Sequence, residues 1–159
     1  MSATGEAADG KLRRLLLWPL LACPVAAAAG SASAFFLWAL DAVTRWHWAH
    51  PAALLGLPLA GLLVGLAYHH LGKDSDKGHN LIIDEIHEPG GGVPARMAPL
   101  VLIGTLMTHA FGGSAGREGT AVQMGGSLAG WLARVLRAGH EERRVMLMCG
   151  VAAGFGSVF

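Results

Sequence analysis

The residues best suited to chemistry lie in the segment Gly112–Thr120. This glycine-rich loop leads into an apolar stretch, and Arg117 and Glu118 are its charged residues. Unpaired backbone N–H groups in such a loop, together with the positive end of the helix that follows, favour an anion. An acid beside an anion site can compete with the anion for the same donors, and it can carry a proton. The alternative is that Arg117 and Glu118 form a buried structural pair that caps the helix.

A second glycine-led segment, Lys77–Leu81, opens the short amphipathic stretch Asn80–His87. Asn80 is a candidate N-cap of that helix. Two short helices that point their N-termini at one place are the arrangement by which transporters bind an anion near the membrane midplane. This segment is therefore a candidate second half of an anion site, and an ordinary capped turn is the alternative.

Metal and nucleotide chemistry fit the sequence poorly. His79, Asp84, Glu85 and His87 match no zinc motif, and seven residues separate the two histidines. The glycines match neither a P-loop nor a dinucleotide-binding fingerprint. We therefore expect no metal, no cofactor and no enzymatic activity. A metal-dependent membrane hydrolase that uses His79 and His87 is the weakest of the hypotheses.

The composition indicates a membrane protein. Of the 159 residues, 53% are apolar and 14% are charged, and the mean hydropathy is +0.45; soluble domains carry about 25% charged residues. Charged residues are absent from Leu15–Leu40 and from Pro51–Gly72, and both stretches are long enough to cross a bilayer. A disordered chain and a nucleic-acid partner are excluded. A net charge of +1 leaves any ion preference to local groups.

The charge pattern predicts the orientation of these spans. Basic residues in the segment 11–14 precede the first span, and Lys73 and Lys77 follow the second. The positive-inside rule then places the N-terminus in the cytoplasm. We expect an integral, multi-pass protein of the inner or plasma membrane, with a disordered cytoplasmic tail over residues 1–10.

The rest of the pattern predicts an all-α membrane fold in which one short helix, over 80–87, is re-entrant. Further apolar helices are expected over Pro94–Phe111, over about 120–136 and from Val145 onward. A charged turn is expected at Gly139–Arg144.

Small residues also recur at a spacing of four, as in Gly61–Gly65 and Gly126–Gly130. This spacing lets helix backbones approach closely in lipid, so it predicts tight packing at both places.

Three motifs occur in a fixed order. Gly116-Arg117-Glu118-Gly119-Thr120 is followed by Val122-Gln123, Ala152-Ala153-Gly154 lies one helix later, and Gly78–Leu81 lies about 40 residues ahead of Glu118. Together they resemble the CLC family of chloride channels and proton-coupled anion antiporters. The corresponding family motifs are the Gly-Arg-Glu-Gly-Pro signature, a conserved stretch one helix later, and the Gly-Ser-Gly-Ile-Pro loop. The resemblance covers roughly residues 51–159.

The resemblance implies an all-α inverted-repeat transporter in a lipid bilayer that assembles as a homodimer and moves an anion, as a channel or in exchange for protons. It implies that Glu118 is the gating glutamate, which competes with the anion and takes up the proton. The anion-binding residues that it implies are Gly78, His79, Asn80, Gly116, Arg117, Gly119 and Thr120.

The sequence also departs from the family pattern. Thr120 stands in place of Pro, and His79 stands in place of the anion-coordinating Ser. The second loop looks like that of the fluoride-exporting branch, so we expect fluoride in preference to chloride. The chain supplies less than one of the two halves of a family subunit. We therefore expect residues 11–159 to be a partial transmembrane domain, truncated before completion. The alternative is a non-transporting membrane fragment or an interaction partner.

Overall fold

The computed structural model describes residues 3–88 and 90–159, and the elements in these ranges are helical. Side chains are described from Leu17 onward. The α-helices, in chain order, are α1 Ala3–Ala49, α2 Leu57–Ala67, α3 His79–His87, α4 Met97–Ala110, α5 Arg117–Val135 and α6 His140–Gly156. Two 3-10 turns, Pro51–Gly56 and Lys73–Lys77, and a π-helical turn, Tyr68–Gly72, connect them. The prediction of an all-α fold is confirmed.

Helix α1 contains the first predicted span and continues beyond it. The stretch Asp41–His50, which lies between the two uncharged stretches, is helical as far as Ala49. An ion pair between Asp41 and Arg45, with 2.7 Å between Oδ2 and Nη1, joins successive turns there, and pairs at this spacing favour helix. Residues 17–49 are long and apolar enough to cross a membrane.

The N-terminal backbone is helical from Ala3, which differs from the disordered tail predicted for residues 1–10. The side chains of that tail, and the whole of Met1 and Ser2, lie outside the described residues.

Helix α2 turns an apolar face outward. Residues 51–87 form the second stretch that is long and apolar enough to cross a membrane, and Leu55 and Leu59 on it are 86% and 62% exposed. Among the described residues, nothing lies within 4 Å of a Cβ built on Gly61 or Gly65. The prediction of close packing at these two glycines is therefore wrong for the described chain, because this face of α2 points away from the other helices.

Helices α5 and α6 form the closest packed pair. A Cβ built on Gly125 would collide with the carbonyl oxygen of Gly150, and one on Gly154 would collide with that of Ala121. The opposite side of α5 is also tightly packed, since a Cβ on Gly126 would lie 2.8 Å from Ile82 Cδ1. Close packing at Gly126 is therefore confirmed, and small residues let the backbones of α5 and α6 touch.

The buried cores join α1 to these helices. Phe36, which is fully buried, packs with Ala98, Val101 and Met124. A second cluster brings Val25 of α1 together with residues of α3, α5 and α6: Ile82, Ala129, Met146 and Leu147.

Two helix boundaries differ from the predicted ones. Helix α4 begins at Met97 rather than at Pro94. At this helix start, the Ser127 hydroxyl donates to Pro94 O at 2.7 Å and accepts from the Ala98 N–H at 3.2 Å. Helix α6 begins at His140 rather than Val145, so the predicted charged turn is mostly helical. Its acidic first turn suits a helix N-terminus, and the backbone N–H of Gly139 donates to Glu142 Oε2 at 2.7 Å.

Candidate anion-binding site

The N-termini of α3 and α5 lie side by side. His79 Cε1 lies 3.0 Å from the position that a Cβ would take on Gly119, and His79 Nδ1 lies 3.4 Å from Gln123 Nε2. The structure thus brings together the two loops that the sequence singles out, although about 40 residues separate them. Because both helices begin here, their first backbone N–H groups, which lack helical partners, lie in one region.

Helix α3 runs beside α5 in the same direction. His79 faces Gly119, Ile82 faces Gly126, and Val93, beyond the end of α3, faces Gly130. The positive ends of the two helix dipoles therefore add at the His79 end. This is the local electrostatic field that an anion needs, since the net charge of the chain is only +1.

Glu118 lies in the first turn of α5, within that region. Arg117 Nε donates to Glu118 Oε1 at 3.1 Å, and the two side chains are 52% and 40% exposed. Exposed ion pairs contribute little to stability, and within the described chain the pair is exposed rather than buried as a cap. The Glu118 carboxylate is accessible at the helix N-terminus.

Thr120 holds the loop in place. Its side chain is 3% exposed, and its hydroxyl donates to Gly116 O at 3.1 Å and lies 2.7 Å from the Thr105 hydroxyl. The Thr120 N–H also donates to Gly116 O, at 3.3 Å. Thr120 thereby fixes the position of Gly116 against α4.

The start of α3 differs from the prediction at Asn80. The helix begins at His79, and Gly78 occupies the N-cap position with φ 57° and ψ −126°. Asn80 is inside the helix and exposed, so its prediction as the N-cap is wrong. Glycine adopts this backbone conformation without the steric cost that a Cβ imposes.

Two residues that sequence reasoning missed also position the site. The Nδ1 atom of His47, on α1, lies 3.2 Å from Ala110 O. The His47 ring lies 2.6 Å from the position that a Cβ would take on Gly112. Gln123 contacts His79 as described. Gln123 lies four residues after Gly119, and so on the same face of α5; this spacing was the available signal.

The histidines of the metal hypothesis are kept apart. His79 and His87 lie at opposite ends of α3, and His87 Nδ1 is 2.9 Å from Ile83 O on its own helix. Among the side chains that the structure describes, in residues 17–88 and 90–159, no group of three or more His, Cys, Asp or Glu could hold a metal ion.

A cavity of about 690 Å³ lies toward the other end of α5. The cations that line it are Lys73, Lys77, Arg96 and Arg134. Glu85, also in the lining, is 4% exposed, and its Oε2 accepts from Gly90 N at 3.1 Å. No pattern in the sequence indicates this cavity.

The two candidate membrane spans and the helical elements of the described ranges indicate a helical membrane protein. The adjoining N-termini of α3 and α5 give it a place suited to an anion.

The voltage gated chloride channel family matches residues 60–159. Because this match covers more than half of the chain, the chain belongs to the voltage gated chloride channel, or CLC, family. The chain is similar to the "Chloride/fluoride channel protein" of Pseudomonas syringae pv. tomato, with 60% identity over 142 residues, which cover 89% of this chain and 31% of that protein. It is also 34% identical to the "Putative chloride channel protein ClcB-like" of Ralstonia nicotianae, over 68% of this chain and 26% of that protein.

A solved structure, the crystal structure of a CLC-type fluoride/proton antiporter, has the same fold over this region. The TM-score is 0.85 at 34% identity, and the match covers 91% of this chain and 37% of that chain. The chain therefore spans about a third of the length of the relatives that it matches.

Proposed function

We propose that this chain forms the part of a proton-coupled anion antiporter that binds the anion and gates its passage with Glu118. The observation that carries the proposal is the meeting of the α3 and α5 N-termini at His79 and Gly119. Backbone N–H groups and helix dipoles at such a place stabilise an anion without a large net charge. The proposed anion-binding residues are Gly78, His79, Asn80, Gly116, Arg117, Gly119 and Thr120.

Glu118 is the proposed gate and proton carrier. Its carboxylate lies at the N-terminus of α5, where it competes with the transported anion for the same donors. Protonation removes that competition and loads one proton, so anion entry and proton uptake become linked at one side chain. Arg117, whose Nε donates to the carboxylate, stabilises the charged form in the conformation described.

Fluoride is the proposed preferred anion, and chloride is the alternative. The Pseudomonas relative is called a chloride/fluoride channel protein, and the structural neighbour is a fluoride/proton antiporter. A small, strongly hydrated anion requires strong donors to replace its water. His79, which lies beside the α5 N-terminus, is able to supply one.

The proposal extends to the surroundings of the site. The region that the relatives have and this chain does not cover, about two thirds of their length, completes the pathway. The complete subunits form a homodimer. The chain crosses the inner or plasma membrane more than once, with its N-terminus and the Lys73–Lys77 turn in the cytoplasm. Residues 11–159 are the partial transmembrane domain in this proposal.

The test is reconstitution of the full product of the gene that encodes this chain. Liposomes loaded with fluoride or chloride are assayed with ion-selective electrodes, and a pH-sensitive dye records protons. We expect fluoride efflux to exceed chloride efflux, and Glu118→Gln to abolish proton movement. Glu141→Gln, an exposed acid at the start of α6, is the matched control and leaves both fluxes unchanged.

Two outcomes contradict the proposal. Proton movement that survives in Glu118→Gln removes the gating role of that residue. Absence of any anion flux in a correctly folded, membrane-inserted product favours the alternative of a non-transporting membrane fragment or an interaction partner.

A further inference from the structure

The exposed ring of His79 lies against two residues of α5 that are one helical turn apart. Gly119 leaves room for the ring, since a Cβ there would lie 3.0 Å from Cε1 and 3.5 Å from Nε2. Gln123, one turn later on the same face, places its Nε2 at 3.4 Å from His79 Nδ1. The two ring nitrogens therefore have different surroundings.

The amide group of Gln123 is itself placed by the loop. A Cβ on Gly78 would lie 3.7 to 3.8 Å from the amide nitrogen, carbon and oxygen of Gln123. The amide thus lies over Gly78, whose φ of 57° turns the chain into α3. Gln123 spans the gap between the two helices whose N-termini form the proposed site.

The tautomer of the neutral ring depends on which end of the Gln123 amide faces Nδ1. The amide nitrogen faces it at 3.4 Å, and because an amide nitrogen only donates, Nδ1 of His79 accepts in this arrangement. A neutral imidazole with an accepting Nδ1 carries its proton on Nε2, which then donates. In the described part of the chain, Nε2 has no hydrogen-bond partner of its own, and it lies at the level where α5 begins.

We propose that Gln123 is a positioning residue that fixes the tautomer of His79, so that Nε2–H is presented as a donor to the transported halide. The inference rests on the function proposed above, because it concerns the same site. Gln123 acts through His79 and does not itself bind the anion. It makes His79 a donor of fixed direction, which suits a small anion that requires strong donors.

The tautomer is tested by nitrogen-15 NMR on the full gene product, labelled at histidine and held at a pH where the ring is neutral. The chain contains eight histidines, and the His79 signals are those that disappear in His79→Ala. We expect protonated Nε2 and bare Nδ1 in the wild type. Gln123→Glu is nearly isosteric but offers only acceptors, so it is expected to move the proton of the neutral ring to Nδ1. An Nδ1–H ring in the wild type, or an unchanged tautomer in Gln123→Glu, overturns the proposal.

The effect of Gln123 on anion binding is tested by a double-mutant cycle, in which the fluoride concentration that gives half-maximal flux is measured. Gln123→Met removes the hydrogen bond without adding charge, and we expect it to weaken apparent fluoride affinity about threefold to tenfold, the value of one neutral hydrogen bond. In the His79→Ala background the same change should have no further effect. An equal effect in both backgrounds shows that Gln123 acts independently of His79 and overturns the proposal.

The two measurements separate the proposals. If the gene product moves no anion at all, the proposed function fails, and the NMR result alone decides whether Gln123 sets the tautomer. If fluoride moves and Gln123→Met leaves its affinity unchanged, the proposed function stands and the positioning role is refuted.

Discussion

Gly150→Ala tests the packing of the middle of α5 against α6. A Cβ at position 150 would collide with Gly125 O and lie 2.6 Å from Ala129 Cβ and 3.0 Å from Gly125 C. Carbon atoms in contact normally lie about 3.5 to 4.0 Å apart. Since backbone atoms cannot rotate away, α5 and α6 must separate by about 1 Å to admit the methyl group.

The expected cost follows from two opposing terms. Overpacking of a well-packed interface costs about 1 to 3 kcal/mol, and contact with rigid backbone favours the upper end. Alanine is a better helix former than glycine by about 1 kcal/mol, which offsets part of the cost. We therefore expect Gly150→Ala to lower the free energy of unfolding by about 2 kcal/mol.

The assay is unfolding of the detergent-solubilised protein by increasing SDS, followed by tryptophan fluorescence, because Trp131 lies on α5. Gly61→Ala is the control: the space around it is open among the described residues, so helix propensity alone predicts stabilisation of up to about 1 kcal/mol. If Gly150→Ala proves as stable as the wild type, or as Gly61→Ala, the α5–α6 backbone contact is refuted.

Three further substitutions test the loops around the site. Thr120→Val removes the buried hydroxyl that bonds to Gly116 O and Thr105, so SDS unfolding should show a free energy of unfolding lower by about 1 to 3 kcal/mol. Thr120→Ser, the control, should retain most of the stability. Equal losses in the two variants would refute the role of the hydroxyl. Ser127→Ala leaves Ala98 N–H and Ala95 O without the hydroxyl that bonds them, whereas Pro94 O keeps its bond from Met97 N–H at 3.1 Å. The change should cost a similar amount, and a neutral result would contradict this role of Ser127. Gly78→Ala has space for its methyl group but adopts φ 57°, so it should cost about 1 to 3 kcal/mol through backbone strain alone, and an unchanged unfolding midpoint would show that no such conformation exists.

The sequence was sufficient to predict the elements that depend on local composition. Uncharged stretches longer than about 20 residues predicted the candidate spans, and the confirmed all-α fold follows from them. The glycine-led loops at Gly78 and Gly116 predicted helix starts close to the observed ones, because glycine favours such boundaries. Motif order indicated the family, which the match over residues 60–159 shows.

Other features depend on contacts between distant segments and could not be predicted from local pattern. The packing partner of each glycine is an example: Gly61 and Gly126 share the same spacing signal, yet only Gly126 meets a neighbour among the described residues. The start of α6 depends on Glu142, whose carboxylate bonds back to Gly139; the charges there suggested a turn. The contact between His79 and Gln123 joins residues 44 positions apart; local spacing places Gln123 on the face of Gly119 but does not give His79 as its partner.

In the proposed function, Glu118 links anion and proton movement at the meeting point of α3 and α5. The most direct measurement imposes an outward fluoride gradient on liposomes that contain the full gene product, at equal pH inside and outside, and records internal pH. We predict that fluoride leaving the wild-type liposomes drives proton uptake, and that Glu118→Gln abolishes this uptake. Proton uptake of equal size in Glu118→Gln, with the same fluoride gradient, would show that Glu118 does not couple the two ions.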